Sequence, residues 1–210
     1  MSTILLVDDH VVVRRGLKEI LQEELPDAAF LEASDAQEAL RTVAGDGIDL
    51  VVLDISLPGR SGLDILKEIK YAETHASVLV LSMHPEDHYA VRALKAGASG
   101  YLTKQSAPEE LGKAVRKILA GGTYISQQTA EKLASDLSRA PAESPHETLS
   151  DREYEVMRLI AKGMTVSEIA ELLSLSVKTI STYRYRLLKK MEMRTNSQVT
   201  AYAVRQHLVD

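Results

Sequence analysis

Three carboxylates, a hydroxyl and an ammonium group in the first half of the chain are spaced so that they could act together. Asp8 and Asp9 follow the apolar run Ile4-Leu5-Leu6-Val7, and Asp54 follows Leu50-Val51-Val52-Leu53. Ser82 follows Val78-Leu79-Val80-Leu81, and Lys104 follows Tyr101-Leu102-Thr103. Each run is short and continuously apolar, the pattern of a parallel strand covered on both faces. Open parallel sheets bind their ligands at the carboxyl ends of the strands. These five side chains should therefore converge at one edge. Carboxylates packed close together stay ionised only if a cation sits among them. The donors are all oxygens, which suits Mg²⁺ with several waters retained. Such a site can handle a phosphoryl group. A carboxylate acts as nucleophile and becomes an acyl phosphate, while the cation and Lys104 neutralise charge on the transferring oxygens. Asp54 ends the most central apolar run and is the best nucleophile.

The elements that must position these groups can be read along the first 120 residues. Strand runs alternate with helical patterns: Val13, Leu17, Ile20 and Leu21; Ala36 to Ala44, closed by Gly45; Leu63, Leu66 and Ile69 after Gly62; His88 to Ala96, ended by Gly97; and Leu111, Val115, Ile118 and Leu119, closed by Gly121-Gly122. Ala29 to Ala33 reads as a weaker strand. Five βα units imply a parallel sheet with right-handed crossovers. Residues 125–138 are expected to form one further helix. The stretch 139–148, with Pro141, Ser144 and Pro145, reads as a flexible linker. The expected division is 1–122, a connecting 123–147, and 148–210.

From Ser150 onward the pattern is helical only. Ser150-x-x-Glu153 and Thr165-x-x-Glu168 are capping boxes that open two helices. Ser176 caps a third, Val177 to Met191, and Asn196 or Ser197 is expected to cap a fourth that ends near His207. The third helix carries an apolar stripe of Val177, Ile180, Leu187, Leu188 and Met191. Lys178, Ser181, Thr182, Tyr185 and Lys189 share an outward face, flanked by Arg184, Arg186 and Lys190. A short helix, a tight turn and then a basic helix is the helix-turn-helix arrangement. Its basic side chains suit phosphates, while Thr179, Ser181, Thr182 and Tyr185 suit base edges.

Charge follows the same division. Residues 1–120 carry 13 basic and 19 acidic side chains, whereas 148–210 carry 10 and 7, so the two halves suit different partners. The chain has no cysteine, which excludes a disulfide framework and thiolate-bound metals. No apolar run approaches the ~20 residues a membrane span needs, and Met1 to Val7 has no signal-peptide pattern. The expected location is the cytoplasm, with no membrane partner.

Four motifs in order carry a family resemblance. Leu6-Val7-Asp8-Asp9-His10, Asp54-Ile55-Ser56-Leu57-Pro58-Gly59 with Gly62, Leu81-Ser82-Met83-His84, and Gly97 through Lys104 together resemble receiver domains of the NarL/FixJ type. The segment Leu149 to Val209 resembles the LuxR-type helix-turn-helix. The resemblance implies a two-component response regulator: a flavodoxin-like (βα)5 receiver with sheet order 2-1-3-4-5, then a separate all-α domain of four helices. It implies Asp54 as the acceptor of a phosphoryl group from a sensor histidine kinase. It implies Mg²⁺ on Asp9, Asp54 and the main-chain carbonyl of Ser56, with Asp8 acting through water. Lys104 would hold the phosphoryl group, Ser82 and Tyr101 would form a switch pair, and Ser56 and His84 would tune the phosphate's lifetime. His10 is read as structural. Double-stranded DNA is the implied partner of the second domain, and a homodimer the implied phosphorylated state. Ser181 and Tyr183 depart from the basic residue and the histidine common at these positions, so base preference does not carry over.

Three other classes fit the sequence less well. A haloacid-dehalogenase-type phosphatase needs an Asp two residues beyond its nucleophile, where this chain has Ser56. A ligand-sensing LuxR regulator needs an aromatic-rich sensor, whereas this chain has no Trp. The basic helix disfavours a pure protein-binding adaptor.

Overall fold

A computed structural model describes the chain except residues 1, 46, 59, 73, 74, 84, 85, 128, 132, 133, 135–143 and 210, and the side chains of 86–88. Two compact units result, 1–138 and 139–210.

The first unit is built on strands β1 (Thr3–Val7), β2 (Ala29–Ala33), β3 (Leu50–Asp54), β4 (Ser77–Ser82) and β5 (Gly100–Thr103). Helices α1 (Val11–Glu24), α2 (Ala36–Ala44), α3 (Gly62–Tyr71), α4 (Glu86–Lys95) and α5 (Ala107–Leu119) follow the strands in turn. The sheet is parallel, in the order β2-β1-β3-β4-β5. Its continuous apolar runs are explained by burial on both faces. Ile4, Leu6, Leu50, Val52, Leu79, Leu81 and Leu102 pack with Leu17 and Leu21 of α1 and Leu111, Val115 and Ile118 of α5. The alternate residues Leu5, Val51, Leu53, Val78 and Val80 are equally buried, and side chains alternate between the faces of a strand. Truncating one of these side chains to Ala typically costs about 2–5 kcal/mol.

Register does the positioning. Val7 pairs with Leu53, Asp54 with Leu81, and Ser82 with Thr103. The residues after these pairs therefore emerge side by side at the carboxyl edge. Gly62 lets α3 start close to this edge: a Cβ there would lie 2.5 Å from the Ile55 Cα and 2.7 Å from the Asp54 carbonyl oxygen. The isolated bridge Gly100–Tyr124 adds a backbone contact beside β5 that the sequence did not suggest. Much of the further helix expected over 125–138 lies outside the described residues; a helical turn begins at Ser126, whose Oγ accepts from the Thr129 N–H at 3.2 Å.

The second unit opens with a 3-10 turn, Pro145–Thr148, followed by α6 (Asp151–Ala161), α7 (Val166–Leu172), α8 (Val177–Lys190) and α9 (Asn196–Arg205). The expected capping boxes form at Ser150 and Thr165, and Ser176 caps α8. α6 packs on α8 and α9, and α7 packs on α8. Val156, Met157, Ile169, Ile180, Leu187, Val199 and Ala203 form the core. Gly163, at φ +89°, reverses the chain after α6. The cap of α9 differs from expectation. Thr195, not Asn196 or Ser197, is the N-cap, because Thr195-x-x-Gln198 closes a third capping box. The helix ends at Arg205, near His207 as expected.

Candidate functional site

At the carboxyl edge, Asp8 and Asp54 are almost fully buried. Lys104 joins them. Its Nζ donates to Asp8 Oδ2 at 2.6 Å and to Asp54 Oδ2 at 2.8 Å. Its position is fixed by its own backbone, whose N–H donates to the Ser82 carbonyl at 2.7 Å. The other oxygen of Asp54, Oδ1, accepts from the Ser56 N–H at 2.9 Å. Burial pushes the Asp54 carboxyl above its ordinary range, against the opposing pull of Lys104. Burial also pulls on the Lys104 ammonium, but Asp54 and Asp8 outweigh it and hold Lys104 above its ordinary value. The pocket is thus a buried pair of carboxyls bridged by the Lys104 ammonium.

Asp9 and His10 stand beside it. Asp8, Asp9 and His10 each offer a ligand atom within 4.8 Å of the others. Asp9 Oδ1 is buried and makes no hydrogen bond, although His10 Nδ1 lies 2.8 Å away. A buried carboxylate oxygen without a hydrogen-bond partner, next to a second carboxylate, is the donor chemistry a hard divalent cation takes. The residues present therefore fit Mg²⁺. His10, read from sequence as structural, is drawn into this cluster while its side chain stays 68% exposed.

The remaining residues singled out in the first unit divide three ways. Ser82 and Tyr101 are both buried, Ser82 at the end of β4 and Tyr101 on β5 opposite Val80. Ser56 is exposed at the pocket rim. His84 lies outside the described residues, as does Gly59.

In the second unit, α8 presents Lys178, Ser181, Thr182, Tyr185, Arg186 and Lys189 to solvent. Tyr185 is 66% exposed. Three expected contacts are already partly engaged. Arg184 Nε donates to Asn196 Oδ1 at 2.6 Å, which ties it to the start of α9. The Thr182 hydroxyl donates back to the Lys178 carbonyl at 2.9 Å. The Thr179 hydroxyl meets the capping Ser176 hydroxyl at 2.8 Å. Lys190, flanking the face, pairs with Glu153 at 2.6 Å. Sequence reasoning missed the Arg184 and Lys190 ties, because their partners lie 12 and 37 residues away. It also missed Arg14, whose signal was a charge in the α1 stripe that otherwise holds Leu17 and Leu21.

A parallel 2-1-3-4-5 sheet with a buried acid–lysine pocket, joined to a capped helix-turn-helix, defines a response regulator. The response regulator receiver domain family matches residues 4–116, and the bacterial regulatory proteins of the luxR family match residues 147–203. The chain belongs to the NarL/FixJ family of two-component response regulators. It is similar to the response regulator UvrY of Escherichia coli K12, with 36% identity over 99% of this chain and 96% of UvrY. Among solved structures it resembles RcsB from Salmonella enterica serovar Typhimurium, bound to a promoter in the presence of a phosphomimetic beryllofluoride. That match has 27% identity and a TM-score of 0.58, and covers 96% of this chain and 97% of the other. Two RcsB dimers bound to two parallel DNAs match at 25% identity with a TM-score of 0.59, covering 97% of this chain and 98% of the other. The protein is accordingly a response regulator that joins a receiver to a LuxR-type DNA-binding domain. No described helix is long and apolar enough to cross a membrane.

Proposed function

We propose that Asp54 accepts a phosphoryl group from the phosphohistidine of a sensor histidine kinase, and that this event controls DNA binding by residues 148–210. The observation that carries the reading is the Lys104 ammonium, bonded at once to the buried carboxylates of Asp8 and Asp54. An Asp54 oxygen attacks phosphorus, the bond from phosphorus to the donor's imidazole nitrogen breaks, and that nitrogen keeps the electron pair. Lys104 opposes the upward push of burial on the Asp54 carboxyl, then turns its N–H groups to the incoming phosphoryl oxygens. Mg²⁺ held by Asp8, Asp9, Asp54 and the main-chain carbonyl of Ser56 would supply further neutralisation of those oxygens.

The phosphoryl group draws in the Ser82 hydroxyl. Tyr101 then rearranges, and a pre-existing equilibrium of the receiver surface shifts. Ser56 and His84 set the lifetime by acting on the attacking water. The linker within 123–147 passes the change to the second domain. There Lys178, Arg186 and Lys189 hold phosphates with a share from Arg184, and Thr179, Ser181, Thr182 and Tyr185 meet base edges. The active form is a homodimer in the cytoplasm, a reading supported by the RcsB dimers on DNA. The receiver catalyses only its own phosphorylation and dephosphorylation.

The test is intact mass after incubation with acetyl phosphate and Mg²⁺. A gain of about 80 Da, one phosphoryl group on a carboxylate, is expected for the native chain and not for Asp54→Asn. Equal labelling of both would overturn the assignment.

A further inference from the structure

Arg14 lies on the inner face of α1 with Leu17 and Leu21, and only 8% of its surface is exposed. A buried guanidinium must find acceptors. Its Nη1 donates to the main-chain carbonyl of Asp8 at 2.6 Å, and its Nε to Glu32 Oε2 on β2 at 3.1 Å. Lys18 also approaches Glu32, at 3.6 Å.

The turn that receives this bond is otherwise thinly held. His10, the N-cap of α1, makes no side-chain capping bond, and the first turn contains no acid. Asp8 is fixed by its N–H to the Ala33 carbonyl, by its carboxylate to the His10 N–H, and by Lys104. None of these fixes the next peptide plane directly. Arg14 does, because the Asp8 carbonyl and the Asp9 N–H belong to one rigid planar unit. Holding that carbonyl sets the direction in which the Asp9 Cα carries its carboxylate, the one whose Oδ1 is buried without a hydrogen bond.

We infer that Arg14 is a positioning residue for the cation site: it clamps the Asp8–Asp9 peptide so that the Asp9 carboxylate faces a divalent cation. The inference rests on the reading of Asp8 and Asp9 as cation ligands. A positive charge near a cation site repels the cation, so if Arg14 acted through charge alone, removing it would tighten binding. If it acts as a clamp, removing it loosens binding.

The experiment titrates Mn²⁺ into the full-length chain and follows free Mn²⁺ by electron paramagnetic resonance, which requires no phosphorylation. Arg14→Met, which keeps the stem and loses the donors, should weaken Mn²⁺ binding by ~10-fold or more, the usual size for losing a group that orients a ligand. Arg14→Lys keeps one donor and should fall between the two. Binding by Arg14→Met equal to or tighter than the native chain overturns the inference. If Arg14→Met fails to fold, Arg14→Lys decides: weaker binding at an unchanged melting temperature supports the clamp, and unchanged binding overturns it. Asp9→Asn tests the underlying reading separately. If it binds Mn²⁺ like the native chain, the ligand assignment falls and the clamp with it, whatever the Arg14 variants do.

Discussion

Replacing Lys104 with Met should turn the acid pocket against itself. Asp8 and Asp54 each bond the same Nζ, so their carboxylates are held close, and the methionine leaves two buried anions without a counter-charge. At an effective dielectric of about 20 and a separation of about 5 Å, two unit charges repel by roughly 3 kcal/mol. Protonation limits the penalty. An aspartate with an ordinary value of 3.8 can be neutralised at pH 7 for about 4 kcal/mol, so the cost cannot much exceed that. Lys104→Met should thus destabilise the cation-free receiver by roughly 3–4 kcal/mol, which is about 10 °C in melting temperature for a unit of this size. Added Mg²⁺ should recover more stability in the variant than in the native chain, because it replaces the missing charge instead of competing with it. The assay is thermal unfolding by circular dichroism across a Mg²⁺ series. A variant that melts within a degree of the native chain without Mg²⁺, or gains no more from Mg²⁺, would show that Lys104 is not the counter-charge of the two buried carboxyls.

Other outcomes can be checked on the full-length chain. Lys189→Ala should weaken binding to all duplexes alike and flatten the salt dependence by about one unit, read from titrations at several salt concentrations. Tyr185→Ala should instead relax discrimination between sequences, with about 1–3 kcal/mol at stake; a uniform loss across a duplex library would contradict that role. Glu153 is pushed up by burial, but Lys190 and the Ser150 cap outweigh this and hold its carboxyl below the ordinary 4.5. A lowered acid stabilises the fold above its unfolded value and loses that contribution as pH falls through the folded value. Melting curves between about pH 3 and pH 7 should therefore show a steeper acid loss below 4.5 for the second unit of the native chain than for Glu153→Gln.

How much of this was legible in the sequence depended on whether a feature is local or needs the fold. Strand runs ending in Asp8, Asp54 and Ser82 implied the sheet edge, and the parallel register brings those ends together. The Ser150 and Thr165 capping boxes were legible because they close within three residues. The Thr195 box is equally local, but the expectation fell on Asn196 or Ser197, and the Asn196 side chain instead accepts from Arg184. The clamp by Arg14 on the Asp8 carbonyl could not be read, because a main-chain acceptor leaves no mark on residue type. The joint bond of Lys104 to Asp8 and Asp54 spans 96 and 50 residues and follows only once the strand order is known. The ties of Arg184 and Lys190 inside the helical unit are of the same kind, and they narrow the basic face to Lys178, Arg186 and Lys189.

Phosphorylation of Asp54 should control the DNA affinity of α8. This control is tested most directly by fluorescence anisotropy with a duplex selected from a random pool, titrated with full-length protein with and without beryllofluoride and Mg²⁺. Beryllofluoride should tighten binding by about 5–150-fold, the range of ordinary coupling between two sites, and leave Asp54→Asn unchanged. Equal affinity in both conditions, or the same gain in Asp54→Asn, would contradict it.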